Sequence, residues 1–313
     1  MKNPTARAQA GTSHASARSE KTTAALSSVV AAVGLTSFKI VIGLLTNSLG
    51  ILAEAAHSGL DLIAALMTFY AVRVADKPAD REHPFGHGKA ENVSALFETL
   101  LLLATSAWII FEAQRRLANP QVHVDISVWS FIVMGTSIGV DVTRSRILRR
   151  AAKKHHSQAL EADALHFSTD IWSSSVVILG LVLVLVSRAF PQLALLDRGD
   201  AIAALVVALI VIVVGGRLGV RSVQALLDAA PKSGEYDMIL KAVSRMRTVT
   251  NVHALRIRSS GALWFVDLHV TMDGNITLNE SHRVTERIEK KVHEILPLSD
   301  VTVHVEPLEL AEA

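Results

Sequence analysis

The chain has 313 residues, of which 50% are hydrophobic, and a mean hydropathy of +0.37, too apolar for an ordinary soluble enzyme of this length. A formal charge of +2 gives a nucleic-acid role no global electrostatic support. Cysteine is absent, which removes disulfides, thiolate nucleophiles and the soft ligands that Cu(I) prefers.

Residues 1–22 read as a polar, Ala/Ser/Thr-rich tail, disordered and cytoplasmic, carrying Lys2, Arg7, Arg18 and Lys21. It lacks the apolar core and small-residue cleavage site of a signal peptide. From 23 to 229 come six apolar runs, near 24–46, 50–74, 91–117, 126–150, 158–187 and 200–227. Each can span a hydrocarbon core, which needs ~20 helical residues. The first two part at Asn47–Gly50, and the last two at Pro191 and the RGD stretch 198–200. Arg73, Lys77, Arg81 and Lys89 follow the second run. Arg144, Arg146, Arg149, Arg150, Lys153 and Lys154 cluster at the end of the fourth. The opposite loops hold only Arg115, Arg116, Arg188 and Arg198, so both termini are expected in the cytoplasm.

Two runs share a pattern, acid-x-x-His-x-x-x-Asp: EAAHSGLD at 54–61 and DALHFSTD at 163–170. Helical spacing puts His57 beside Asp61 and His166 beside Asp170. Facing each other, the pairs offer two imidazole nitrogens and two carboxylates, a tetrahedral set suited to Zn²⁺. On a soluble helix HxxxD would be a solvated face, but in a membrane each ionisable residue at the helix centre costs about 2.5–3.5 kcal/mol. Lys39 reads as structural, snorkelling or paired. Glu54 and Asp163 are partners of the histidines, steps on an ion's route, or plain helix-face carboxylates. Glu98 lines the same polar interior, and Asp141 with Arg144 at i+3 makes an interfacial ion pair.

After the second run, KPADREHPFGHGKAE brings Asp80, His83 and His87 within eight residues, bent by Pro84 and Gly86. Such a loop either wraps one ion, leaving a fourth position for water, or is a plain loop. Residues 230–313 read as a soluble α+β domain of order αββαβ, with a hinge at Pro231. Its elements are a helix over 234–247, strands over 252–258 and 262–271, a helix from a capping box at Thr277–Glu280 to about 296, and the strand VTVHVEP. A small sheet with helices on one face fits that order.

HxxxD in the second and fifth of six membrane helices, with HPFGHGKAE between, resembles the cation diffusion facilitator family of divalent-metal transporters over nearly all of the chain. The resemblance implies a homodimer, multi-pass in the bilayer (the inner membrane in a bacterium), exporting metal from the cytoplasm against protons. It implies a transport site of His57, Asp61, His166 and Asp170, and a loop site of Asp80, His83 and His87. The soluble domain is implied to be metallochaperone-like, with a metal site drawn from His253, His269, His282, His304 and Glu306, where some relatives carry Asp at the last position. It also implies a Lys89–Asp228 salt bridge, a hinge rather than a ligand. His57 at the first ligand position points to Zn²⁺, or Cd²⁺. A Mn²⁺ or Fe²⁺ exporter is the alternative within the family, and a membrane-anchored metal sensor or scaffold the alternative outside it. An intramembrane metallohydrolase would want HExxH, which is absent, so no enzyme is expected.

Overall fold

The computed structural model describes residues 4–118, 128–189, 199–230 and 234–308. The breaks read at Pro191 and Arg198 and the hinge at Pro231 lie outside them. Two compact units emerge, Met1–Asp76 with Ala90–Ser222, and Lys77–Lys89 with Val223–Ala313.

All six apolar runs are helical. They form α1 (Pro4–Leu45), α2 (Leu49–Ala75), α3 (Ala90–Ala118), α4 (Val128–His155), α5 (Gln158–Ala189) and α6 (Gly199–Leu226). α1 extends back to Pro4, through the stretch read as a tail. Proline suits the first helical position, where its missing N–H has no bond to lose, and the alanines that follow are strong helix formers. Lys21, read with the tail, is instead buried in the first unit. It pairs with Asp76 and, at 3.1 Å, with Glu91.

Among the described residues, Arg18–Leu45, Glu54–Ala75, Ala90–Arg115 and Ala204–Leu226 are long and apolar enough to cross a membrane. α4 and α5 are not among them; in α4, Asp141 and Arg144 interrupt the apolar part. Burial in this unit is inverted relative to a soluble bundle. Val30, Leu44, Tyr70, Trp108, Trp172 and Leu209 are exposed, whereas Ser28, Lys39, Asp61, Glu98, Arg144, Asp163 and His166 are buried. Helices meet over small residues: Ala25, Ala152, Ala159 and Ala164 pack with Val72, Leu148, Leu160 and Phe167, which lets backbones approach closely.

Three helix ends close alike. Asn47, His156 and Asp228 have φ of 49°, 50° and 57°. The next N–H reaches back five residues in each case: Ser48 to Gly43 O, Ser157 to Ala152 O, Ala229 to Gln224 O. This is the Schellman closure, with a non-glycine residue in the left-handed position.

The second unit contains α7 (Glu235–Ser244), β1 (Asn251–Ser260), β2 (Leu263–Met272), α8 (Leu278–Ile295) and β3 (Ser299–Pro307), the αββαβ order expected. The sheet order is β1-β2-β3, antiparallel then parallel. Ile239 and Val243 of α7 and Val284, Ile288 and Val292 of α8 share one core with Leu255, Ile257, Val266, Leu268 and Val270. Both helices therefore cover the same sheet face. Both bonds of the Thr277–Glu280 capping box form.

Candidate metal centres

The first centre is built on α2 and α5. Each HxxxD pair faces one way, as helical spacing requires: His57 Nε2 lies 4.0 Å from Asp61 Oδ1, and His166 Nε2 3.6 Å from Asp170 Oδ2. Between the helices, His166 Nε2 is 3.1 Å from Asp61 Oδ1. One ligand atom each from Asp61, His166 and Asp170 lies within 4.8 Å of the others. His57 joins this group at its rim, through Asp61. Its side chain is 39% exposed, against 3% for His166.

Polar neighbours surround the group. Thr68 Oγ1 donates to Glu98 Oε1 at 2.8 Å, and Glu98 Oε2 lies 3.9 Å from His166 Nδ1. Ser28 Oγ donates to Asp163 Oδ2 at 3.2 Å, while Arg144 donates to Ser28. Arg144 stacks 3.4 Å over Phe167 and pairs with Asp141 at 3.4 Å. Both side chains of that last pair are buried within the unit. Lys39 pairs with Glu54 at 3.3 Å and donates to Ser58 at 2.8 Å, so Glu54 faces a lysine. Asp170 Oδ2, His166 Nδ1, Glu98 Oε2 and Asp163 Oδ1 are buried without a hydrogen-bond partner. Buried polar groups are normally paired; of these atoms Asp170 Oδ2 faces His166 Nε2 at 3.6 Å, and with Asp61 that set of oxygens and imidazole fits a cation.

The second centre is the loop of the second unit. The backbone N–H groups of His83 and Glu82 donate to Asp80 Oδ1 at 2.7 and 3.0 Å. The His83 bond is the main cause holding the Asp80 carboxyl below its usual range. Gly86, at φ 77°, closes a turn onto His83 O. His83 Nδ1 and His87 Nε2 then stand 3.4 and 3.3 Å from the two Asp80 oxygens, and the three residues form a compact, largely exposed group.

The third centre lies on the sheet face away from the helices. His253 opposes His269, and His269 opposes His304. Glu306 collects them: His253 Nε2 at 3.1 Å, His269 Nδ1 at 2.8 Å and His304 Nε2 at 3.7 Å. The His269 hydrogen bond leads in depressing the Glu306 pKa. Simple alternation would turn His253 inward with Leu255 and Ile257. A bulge between His253 and Arg256, with Ala254 at φ 50°, flips it to the outer face. His282 stands elsewhere, on the exposed side of α8, 3.7 Å from Glu286. His253, His269 and Glu306 have ligand atoms within 4.8 Å of one another and fit a bound ion.

Lys89 Nζ reaches Asp228 Oδ1 at 2.9 Å and Leu226 O at 3.2 Å. Arg258, missed from sequence, adds a second contact to Asp228 at 3.5 Å and stacks on Phe85 and Phe265 at 4.3 and 5.1 Å. The signal was present: a hairpin turning at Gly261 pairs Arg258 with Phe265.

The model of the cation efflux transmembrane domain matches residues 25–227, and that of the cation efflux protein cytoplasmic domain matches 231–308. The cation-efflux pump FieF of Yersinia enterocolitica is 32% identical, over 91% of this chain and 92% of its own. The Yersinia pestis protein of the same name gives the same figures. The metal-bound C-terminal domain of the CzcD transporter from Thermotoga maritima is 31% identical over 26% of this chain and all of its own, with a TM-score of 0.25. Matched along its helical and its α+β parts alike, the chain belongs to the cation efflux (cation diffusion facilitator) family of membrane transporters.

Proposed function

We propose that this protein exports a divalent metal, Zn²⁺ first and Cd²⁺ second, by metal/proton antiport as a homodimer with both termini in the cytoplasm. The reading is carried by the contact of Asp61, His166 and Asp170 between two apolar helices. His57 supplies the fourth ligand, swinging in from the rim when the ion arrives. Two imidazoles and two carboxylates match the borderline character and tetrahedral habit of Zn²⁺.

Proton coupling follows from the ligands. Metal binding needs neutral imidazole, and imidazole titrates near neutral pH, so proton arrival from outside expels the ion and deprotonation reloads the site from the cytoplasm. Rocking of helices around the central site provides alternating access. The loop group and the sheet group hold further ions, the latter joining protomers through the cytoplasmic domain. A harder cargo, Mn²⁺ or Fe²⁺, is the second reading. It is favoured by the compact group itself, one nitrogen and two carboxylates, with His57 outside it.

Metal uptake and lumenal pH in proteoliposomes, run with Zn²⁺, Cd²⁺, Mn²⁺ and Fe²⁺, test both. Zn²⁺-dependent proton release is the expected result. Transport of Mn²⁺ or Fe²⁺ in preference to Zn²⁺ selects the second reading, and metal binding without flux selects a sensor.

A further inference from the structure

His166 has two faces. Its Nε2 looks toward Asp61 at 3.1 Å and Asp170 at 3.6 Å. Its Nδ1, on the other edge of the ring, is buried with no hydrogen-bond partner. Across 3.9 Å from it lies Glu98 Oε2, equally buried and equally unpaired. The second Glu98 oxygen is already held by Thr68 of α2 at 2.8 Å, and Thr68 in turn lies 3.4 Å from Ser94, one turn back on α3. A fully buried acceptor, fixed from two helices, therefore faces a buried nitrogen able to donate, across a gap roughly 1 Å too long for a hydrogen bond. A small tilt of the imidazole closes it.

An imidazole that binds metal through one nitrogen almost always donates its other N–H to a carboxylate, carbonyl or water, which fixes tautomer and ring orientation and raises ligand basicity. Asp163 is differently engaged, taking Ser28 at 3.2 Å. We propose that Glu98 is the positioning residue of His166: it accepts the Nδ1–H and so holds the Nε2 lone pair toward the space between Asp61 and Asp170. The carboxylate acts from behind the ring and is not itself a ligand. This rests on the reading of Asp61, His166 and Asp170 as the transport site.

The test uses full-length protein in detergent, with Asp80→Ala and His269→Ala removing the other two centres. Zn²⁺ affinity is titrated calorimetrically, and the His166 tautomer is read by nitrogen NMR of labelled histidine. Glu98→Leu is expected to weaken Zn²⁺ binding about 10- to 100-fold and to lose the Nδ1–H signature of the metal-bound ring. Glu98→Gln, whose amide oxygen still accepts that hydrogen, is expected to keep both. Unchanged affinity and tautomer in a folded Glu98→Leu overturn the proposal, as does a Glu98→Gln as weak as Glu98→Leu. Asp61→Ala is the separate control. If it leaves Zn²⁺ binding intact, the transport-site reading fails; if it abolishes binding while Glu98→Leu does not weaken it, only the positioning role fails.

Discussion

Asp61 is the residue both HxxxD motifs share in space: His166 approaches it at 3.1 Å and His57 at 4.0 Å. Asp61→Ala and Asp170→Ala should each reduce Zn²⁺ flux to that of empty vesicles while the protein stays folded, since either variant leaves buried His166 one carboxylate neighbour at Nε2, at 3.6 Å from Asp170 or 3.1 Å from Asp61. Wild-type flux from either variant would remove these residues from the site. His57→Asp should shift preference toward Mn²⁺, because a hard oxygen replaces a borderline nitrogen; an unchanged Zn²⁺-to-Mn²⁺ flux ratio counts against His57 as a ligand. The i,i+4 geometry of both motifs was legible because helical spacing is rigid. The differing exposure of the two histidines was not, since it depends on which helices stand behind each ring. Glu98 was legible only as a polar residue, because its distance to His166 comes from packing between helices.

Elements were read most accurately where one period governs them. α2, α3 and α6 fall within a residue or two of their apolar runs, and the α8 capping box is where Thr277 and Glu280 place it. Legibility failed where a single backbone torsion intervenes. Nothing in VHALRI announces that Ala254 turns left-handed, yet that torsion moves His253 from the core side to the side of His269 and Glu306. The Lys89–Asp228 contact also depends on a left-handed residue, since Asp228 ends α6 at φ 57°. Their side chains are 33% and 42% exposed, so the pair is weaker than a fully buried one, and coupling of about 0.5–1 kcal/mol is expected. Lys89, ahead of Arg258, holds the Asp228 carboxyl below its ordinary value. A depressed folded-state pKa contributes stability that is fully present above the unfolded value, ~3.9, and is lost as pH falls through the folded one. Thermal unfolding of Lys89→Met, Asp228→Asn and the double variant at neutral pH should show the coupling. Lys89→Met should also move the acid loss of stability to higher pH. Purely additive effects with an unmoved acid limb would mean that the pair contributes nothing in solution.

At the scale of the molecule, the boundary between the units does not follow a single cut in the chain. Residues 77–89, which sit between α2 and α3 in sequence, belong with the C-terminal domain. Gly88 explains how closely they fit: a Cβ there would fall 2.3 Å from Ser260 O, in the β1–β2 hairpin. Phe85 meets Phe265 edge-on at 5.3 Å and carries Arg258 on its ring. The α+β domain nevertheless has a complete core of its own in Ile239, Val266, Leu268, Val270, Met272, Val284, Ile288 and Val292. A fragment of residues 231–313 should therefore fold alone and melt cooperatively. Zn²⁺ at a hundred times its Kd should stabilise it by about 2.7 kcal/mol, raising Tm by roughly 10 °C or more for a domain of this size. His269→Ala should remove most of that increment, because His269 lies between His253 and His304 and makes the shortest contact to Glu306. His282→Ala should leave it unchanged, since that side chain stands on α8 beside Glu286. In the full chain Gly88→Ala should destabilise the second unit, because its Cβ would collide with the Ser260 backbone. Equal Zn²⁺ shifts for the fragment and its His269→Ala variant would dismiss the sheet face as a metal centre. A His282→Ala variant that loses the shift would move that centre to α8.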